Sequence, residues 1–200
     1  MSTKERIEYE ALKLFCRKGY NGVRIDEIIS AAESTKGGFY HHFASKQELF
    51  TKIVFSYLFE WIIEQAATAH NAEMSFQEYL RTLFDYPKRY LEWWHSLRIS
   101  EDLRGLFVVF FDGIGMFEDL RMKIVNVYTE LMQEIVFRID SARTIGEIRK
   151  DIDSEAAVIQ ILSTLEGLTL LMVGFNSSQL SNLDYYIGEM FRNTWRGFST

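Results

Sequence analysis

Residues 35–50, TKGGFYHHFASKQELF, decide how the first quarter of this 200-residue chain is read. The sequence around them has helical periodicity, yet the stretch opens on two adjacent glycines and continues with two adjacent histidines. A glycine inside a helix is disfavoured by about 1 kcal/mol relative to alanine, so a pair of them asks for a local reason. Thr35 has the chemistry of a helix N-cap, which predicts a short helix over Lys36–His42. Ser45 with Glu48 three residues on has the capping-box pattern and predicts the start of another.

Upstream, Ile25, Ile28, Ile29 and Ala32 make a short apolar stripe, predicting a two-turn helix over Ile25–Ala32 with Glu33–Ser34 as a tight connection. Before it, Ile7, Ala11, Leu14 and Phe15 follow i, i+4, i+7, i+8. Arg17, Lys18 and Gly19 then supply a cationic last turn and a glycine stop. Two short helices joined by a tight turn and packed by a preceding one predict a helix-turn-helix. In that motif the second helix enters the DNA major groove by its first residues, here Lys36, Gly37 and Gly38. Missing side chains let the backbone come close to phosphates or base edges, and a helix N-terminus favours phosphate. Composition by itself favours a plain glycine loop.

Downstream, Leu49, Phe50, Ile53, Val54, Tyr57 and Trp61 continue the helix opened by Ser45. Phe76, Leu80, Leu83, Phe84, Leu91 and Trp94 mark the next, with Pro87 as an expected kink and Tyr79, Tyr86, Tyr90 and Trp93 on its other flank. A short helix is expected over Leu103–Asp112 before a glycine break at DGIG, and a long one over Phe117–Ile139. The polar SARTIGEIRKDIDS stretch reads as a connection. Glu155–Val173 is apolar nearly all round, and a last helix is expected over Leu183–Trp195. With one proline and few hairpin signals the fold class is all-α.

The formal charge is −6, against indiscriminate coating of nucleic acid or anionic membrane. Residues 1–52 carry a net +2 and the remainder −8, as a DNA-reading head on an acidic body would. Cys16 is the single cysteine, which excludes an intramolecular disulfide framework and fits a reducing compartment. Its apolar helical setting reads as packing. The charged N-terminus has no signal-peptide pattern. Uninterrupted apolar runs such as GLTLLMVGF fall short of the ~18 residues of a spanning helix. A soluble cytoplasmic protein with no membrane partner is expected.

Residues Gly19–Phe50 resemble the DNA-binding head of the tetracycline-repressor (TetR) family. Tyr40, Phe43, Lys46 and Leu49 stand in register with its Y-x-x-F-x-x-K-x-x-L signature, and Gly19–Tyr20 and Ile28 fall where the family has them. Val23, Glu33, Ser34 and Gly38 depart from it; the family often has glycine in the turn where Glu33 stands. The resemblance implies a three-helix helix-turn-helix domain over 1–46, joined by a long helix to a helical ligand-binding and dimerisation domain over 47–200. It implies that Tyr40 gives its hydroxyl to a DNA phosphate and that Lys46 pairs with the DNA backbone. His42 falls at a DNA-contacting position, and His41 faces a phosphate or solvent. Thr35, Gly37 and Gly38 open the recognition helix. Lys36 is the candidate for reading guanine O6/N7, and Arg24 is a phosphate candidate. Adjacent histidines do not face one another on a helix, so no metal is expected, nor any cofactor.

The family's body binds a small-molecule effector and dimerises through its last two helices. Trp61, Phe84, Trp94, Phe107, Phe111 and Tyr128 are the candidates for lining an apolar cavity. Glu92, Asp112, Glu118 and Glu166 are available to balance a cationic ligand, though solvated surface suits each singly. Leu162, Leu165, Met172, Ile187 and Met190 are the candidate homodimer interface. The implied function is a repressor released from a palindromic operator in double-stranded DNA by an apolar or aromatic molecule. The alternative is a helical small-molecule-binding protein or an enzyme without DNA binding, although no HExxH, CxxC or P-loop pattern supports an enzyme.

Overall fold

The computed structural model describes residues 1–60, 63–64, 73–99, 103–175 and 177–199, which form helices and no strand. The chain divides into two compact units, Met1–Glu64 with Trp94–Val127, and Gln65–Trp93 with Tyr128–Thr200. Helices α5 (Phe76–Ser96) and α7 (Glu118–Ile145) supply residues to both. The expected boundary at 46/47 falls at the start of α4 (Lys46–Phe55), inside the first unit.

In the first unit α1 (Thr3–Lys18) opens with a capping box. Glu5 N–H donates to Ser2 Oγ at 3.2 Å, and Ser2 N–H donates to Glu5 Oε2 at 2.7 Å. It stops at Gly19, whose φ of 68° lies in the region that favours glycine. Helices α2 (Ile25–Ala31) and α3 (Lys36–His42) follow, and α4 continues into a π-helical turn over Ser56–Glu60. Ile7, Phe15, Ile28, Phe39, Leu49 and Phe50 are fully buried, so the apolar stripes read from the sequence meet in one core.

Helix α6 (Arg104–Met116) lies against α1 at very short range. A Cβ on Gly105 would stand 2.6 Å from Cys16 Cβ and 2.9 Å from Cys16 O, so only glycine fits this approach. Burial pushes the Cys16 thiol up to about 12, which leaves it a packing group rather than a nucleophile. The expected break at DGIG does not occur. Gly113 and Gly115 lie within α6, and a Cβ on Gly113 would meet Leu120 and Val54 at 3.0 and 3.3 Å. Close packing there outweighs glycine's poor helix propensity.

In the second unit the Glu147 carboxylate accepts the N–H groups of Phe76 and Gln77 at 3.0 and 2.9 Å, satisfying orphan donors at the start of α5. Pro87 lies within that helix. Helix α7 runs through residues the sequence assigned to a connection, stopping at Gly146 with φ 77°. Arg143 ties this end together, donating to Asp140 Oδ1 at 2.6 Å and to the Ile152 carbonyl at 2.7 Å. Helix α8 (Ser154–Met172) is capped by Asp153 and followed by α9 (Ser177–Ser181) and α10 (Leu183–Phe198).

By length and composition α8 would also pass as a membrane span, with mean hydropathy 1.4. Uninterrupted apolar runs understate it because Gln160, Ser163, Thr164 and Glu166 break them. A core helix of a soluble protein meets the same test, and Val158, Ile161, Leu165, Leu168 and Met172 are buried along one face. The candidate dimer residues fall differently than expected. Leu165, Met172 and Ile187 are buried within their own chain, and Leu162 and Met190 are half-buried. The exposed apolar face of α8 is instead Ile159, Leu170 and Leu171, at 53, 54 and 61 %. An all-round apolar helix does not announce which face its own chain covers, so periodicity could not set this phase.

Candidate nucleic-acid interface

The turn of the motif is built around Glu33. Ala32 N–H donates to Ile28 O at 2.9 Å and Ser34 N–H to Ile29 O at 2.9 Å, closing α2. Between them Glu33 takes φ 46°, a left-handed conformation for a residue with a side chain. Such a residue is strained by about 1–2 kcal/mol. Glu33→Gly is therefore expected to raise stability by about 0.5–1 kcal/mol, the gain being offset in part by glycine's freedom in the unfolded chain. Urea denaturation checks it: an unchanged or lowered midpoint would mean that the turn holds no such strain.

Thr35 caps α3, its Oγ1 accepting from Gly38 N–H at 3.0 Å. The two glycines then separate in meaning. A Cβ on Gly38 would lie 2.8 Å from Ser34 Oγ and 3.3 Å from the Thr35 hydroxyl, so the cap itself disfavours a side chain there. A Cβ on Gly37 would meet only Thr35 Oγ1, at 3.9 Å. The fold does not need Gly37 to be glycine. Phe39 and Phe43 point inward and are buried, which turns Thr35, Lys36, Gly37, Tyr40 and His41 outward as exposed residues, with Gly38 and His42 half-buried. The His41 and His42 rings stand 4.8 Å apart edge to face, and no three metal-binding side chains cluster among the described residues.

A cleft of about 420 Å³ opens beside α3, lined by Asn21, Val23, Arg24, Ile25, Asp26, Lys36, Tyr40 and Lys46. It gathers four of the predicted residues: three cations and the tyrosine. Lys36 Nζ lies 3.4 Å from Asp26 Oδ1, with both side chains about three-quarters exposed (74 and 73 %). A pair this open to water contributes little and is readily exchanged for another anion.

Lys46 is placed differently from the other cations. Its ammonium donates to the carbonyls of Tyr20 and Val23, both at 2.9 Å, and stands 4.1 Å from the centre of the Tyr20 ring. Burial lowers its pKa, and no carboxylate accepts from it among the described residues. From α4 it reaches back to fasten the loop between α1 and α2. The same loop is held from the other side by Asp112 of α6, whose Oδ2 accepts from Tyr20 N–H at 2.7 Å. The Tyr20 ring packs edge-on against Phe50 and Phe117, with centroids 4.8 and 4.9 Å away. Asp112 and Phe117 were not foreseen in this role. A glycine–aromatic pair at Gly19–Tyr20 was the available signal, but no sequence rule connects it to residues some ninety positions on.

The cavity candidates are divided between the two compact units. Trp61 lies outside the described residues. Trp94, Phe107 and Phe111 belong to the first unit, whereas Phe84 and Tyr128 belong to the second. Trp94 and Phe84 are wholly inaccessible, and Phe84 packs on Phe191 with centroids 6.1 Å apart. They are core. Phe111 is exposed. Tyr128 donates its hydroxyl to Glu166 Oε1 at 2.8 Å.

A short outward-facing helix, capped, glycine-opened and flanked by a cation-lined cleft, defines a DNA-binding helix-turn-helix of the kind the sequence led us to expect. Residues 10–53 match the family of bacterial regulatory proteins, tetR family. The chain is 30% identical over 136 residues, 70% of that protein, to the biofilm operon icaADBC HTH-type negative transcriptional regulator IcaR of Staphylococcus aureus. It is 30% identical over 119 residues to the HTH-type transcriptional regulator QacR of S. aureus. These matches cover 66% and 53% of this chain. The chain spans 63% of the length of QacR and half that of IcaR from Staphylococcus epidermidis. The fold is shared with AibR, solved in complex with isovaleryl coenzyme A and operator DNA, at TM-score 0.68 and 19% identity over 95% of this chain and 98% of that one. The protein belongs to the tetR family of bacterial regulatory proteins.

Proposed function

We propose that this protein is a cytoplasmic, ligand-responsive DNA-binding repressor that acts as a homodimer on a palindromic operator. The observation that carries the reading is the cleft beside α3, where Arg24, Lys36 and Tyr40 face outward beside the Gly37–Gly38 pair in the first turn of the helix. Arg24 and Tyr40 hold phosphates, Lys36 leaves Asp26 to read a base edge, and Thr35, Gly37, Gly38 and His42 bring the backbone of α3 up to the groove. His41 lies at the rim. IcaR, a relative, is a negative transcriptional regulator, which favours repression. Ile159, Leu170 and Leu171, with Ser163 and Gly167 among them, offer the partner subunit an apolar surface that small residues allow to come close. The effector is a small molecule held in the second unit. Helix α7 is the proposed carrier of its signal, because it begins beside Phe117, which packs on Tyr20, and carries Tyr128 farther along.

Gly37 provides the test. Gly37→Ala meets open space and improves helix propensity, so it should fold at least as stably as the parent, by up to about 1 kcal/mol. It should nevertheless weaken operator binding about tenfold, a loss of ~1.4 kcal/mol, because the methyl group holds the backbone off the DNA. Thermal denaturation and fluorescence anisotropy on a labelled duplex read the two effects separately. Unaltered DNA affinity in a normally folded variant would remove α3 from the DNA interface.

A further inference from the structure

A carboxylate stands on the surface that meets a polyanion. Asp26 is the one acid lining the cleft beside α3, among the cations of Arg24, Lys36 and Lys46. Its neighbour Glu27 is fully engaged in the fold: Oε2 accepts from Arg24 N–H at 2.9 Å, and Oε1 accepts from Lys18 Nζ at 2.6 Å. Asp26 takes no part in that cap. Its side chain is open to water and, among the described residues, pairs only with Lys36, reaching from α2 to the first residue of α3. An acid in the first turn of a helix is stabilising, but Glu27 already supplies one to α2. Helix stability therefore accounts for an acid at Asp26 without accounting for its place opposite Lys36.

That place matters when DNA arrives. On random sequence a protein is held by its cations on phosphates. If Lys36 moves to a phosphate, the Asp26 carboxylate is left bare beside the same backbone and is repelled by it. The pair therefore weakens binding wherever only phosphates are offered. A base edge offers more. In the major groove a G·C pair presents guanine N7 and O6 as acceptors and, beside them, the cytosine N4 amino group as a donor. Lys36 and Asp26 present the complement, a donor and an acceptor 3.4 Å apart. Reversing the base pair sets the amino group against the ammonium and an acceptor against the carboxylate.

We propose that Asp26 is a specificity-determining residue acting with Lys36. At the operator both turn from each other to one G·C pair in each half-site, Lys36 donating to guanine O6/N7 and Asp26 accepting from cytosine N4. This rests on the DNA-binding reading above and adds the acid as a second reader and as the penalty on every other sequence.

The intact parent, Asp26→Asn, Asp26→Ala and Lys36→Ala chains are each used to select from a random duplex library. Each is then titrated by fluorescence anisotropy on the parent's recovered sequence, on that sequence with the G·C pair reversed, and on a random duplex. The parent should prefer the G·C orientation by about tenfold or more. Asp26→Asn, whose amide both donates and accepts, should lose most of that preference at the same base pair that Lys36→Ala relaxes. It should also bind random duplex about fivefold more tightly, the effect of one charge about 4 Å away in water. Its salt slope there should steepen by about one unit as Lys36 becomes available to a phosphate. A merely structural Asp26 would instead shift the melting temperature and leave the orientation preference as in the parent. The proposal is overturned by that result, by equal strengthening on operator and random DNA, or by relaxation at a different base pair from that of Lys36→Ala. Asp26→Ala repeats the comparison without the amide, should the asparagine chain fail to fold. The parent's own selection needs no variant of Asp26: a Lys36-dependent base pair other than G·C overturns this pairing alone, whereas no common sequence overturns the DNA-recognition reading itself.

Discussion

Lys46→Ala is expected to lower the stability of the N-terminal unit by about 1.5–3 kcal/mol, the range for hydrogen bonds to a charged group, and to weaken DNA binding with it. The side chain holds two carbonyls of the loop that leads into α2 and covers the Tyr20 ring. Without it the Tyr20 and Val23 carbonyls lose their ammonium donor, and the loop is left to the Asp112 anchor and the packing of the Tyr20 ring. Arg24 and Asp26, just beyond that loop, would then lose their placement in the cleft. A direct phosphate contact, which the family resemblance implied for this residue, predicts something else. Stability would hold, affinity would fall on all sequences alike, and the salt slope would shrink by about one unit. Urea denaturation of the variant beside a salt series of DNA titrations separates the two roles: an unmoved midpoint with a shallower slope would return Lys46 to the phosphates.

Ile159→Asp combined with Leu170→Asp is expected to convert the dimer to monomers and to reduce operator affinity by about a hundredfold or more, since linking two modules enhances binding by about 10²–10⁴. Each aspartate would sit unpaired in a surface that the partner desolvates. A monomer holds one half-site, whereas a dimer holds two about 34–36 Å apart or a multiple of that. Leu165→Asp should behave differently. Leu165 is packed within its own chain, so a charge there is expected to unfold the second unit before it affects assembly. Sedimentation with circular dichroism reads both; a double aspartate variant that stays dimeric would place the interface elsewhere.

The head of the molecule was legible in the sequence because its signals are local. The Thr35 and Ser45 caps, the Gly19 stop and the inward Phe39 and Phe43 depend on neighbours within a few residues. Glu33, which stands where the family often has glycine, proved to carry the positive φ that glycine would have relieved. What was not legible depends on partners far along the chain. Lys46 has the spacing of a DNA contact, yet its ammonium finds two carbonyls of the preceding loop. Gly113 looks like a helix breaker until Val54 and Leu120 are placed against it. Aromatic density named Phe84 and Trp94 as cavity walls, but abundance does not distinguish a filled core from a lined hollow, and both are fully buried.

The central claim is sequence-selective DNA recognition through α3, and it is tested most directly by selection from a random duplex library with the intact protein at physiological salt. The account predicts enrichment of an inverted repeat with two matching half-sites. Affinity for it should fall steeply with salt, and preference at one base pair per half-site should relax in Lys36→Ala by about 1–3 kcal/mol. Recovery of no common sequence, or of one that Lys36→Ala and Gly37→Ala bind as the parent does, would contradict it.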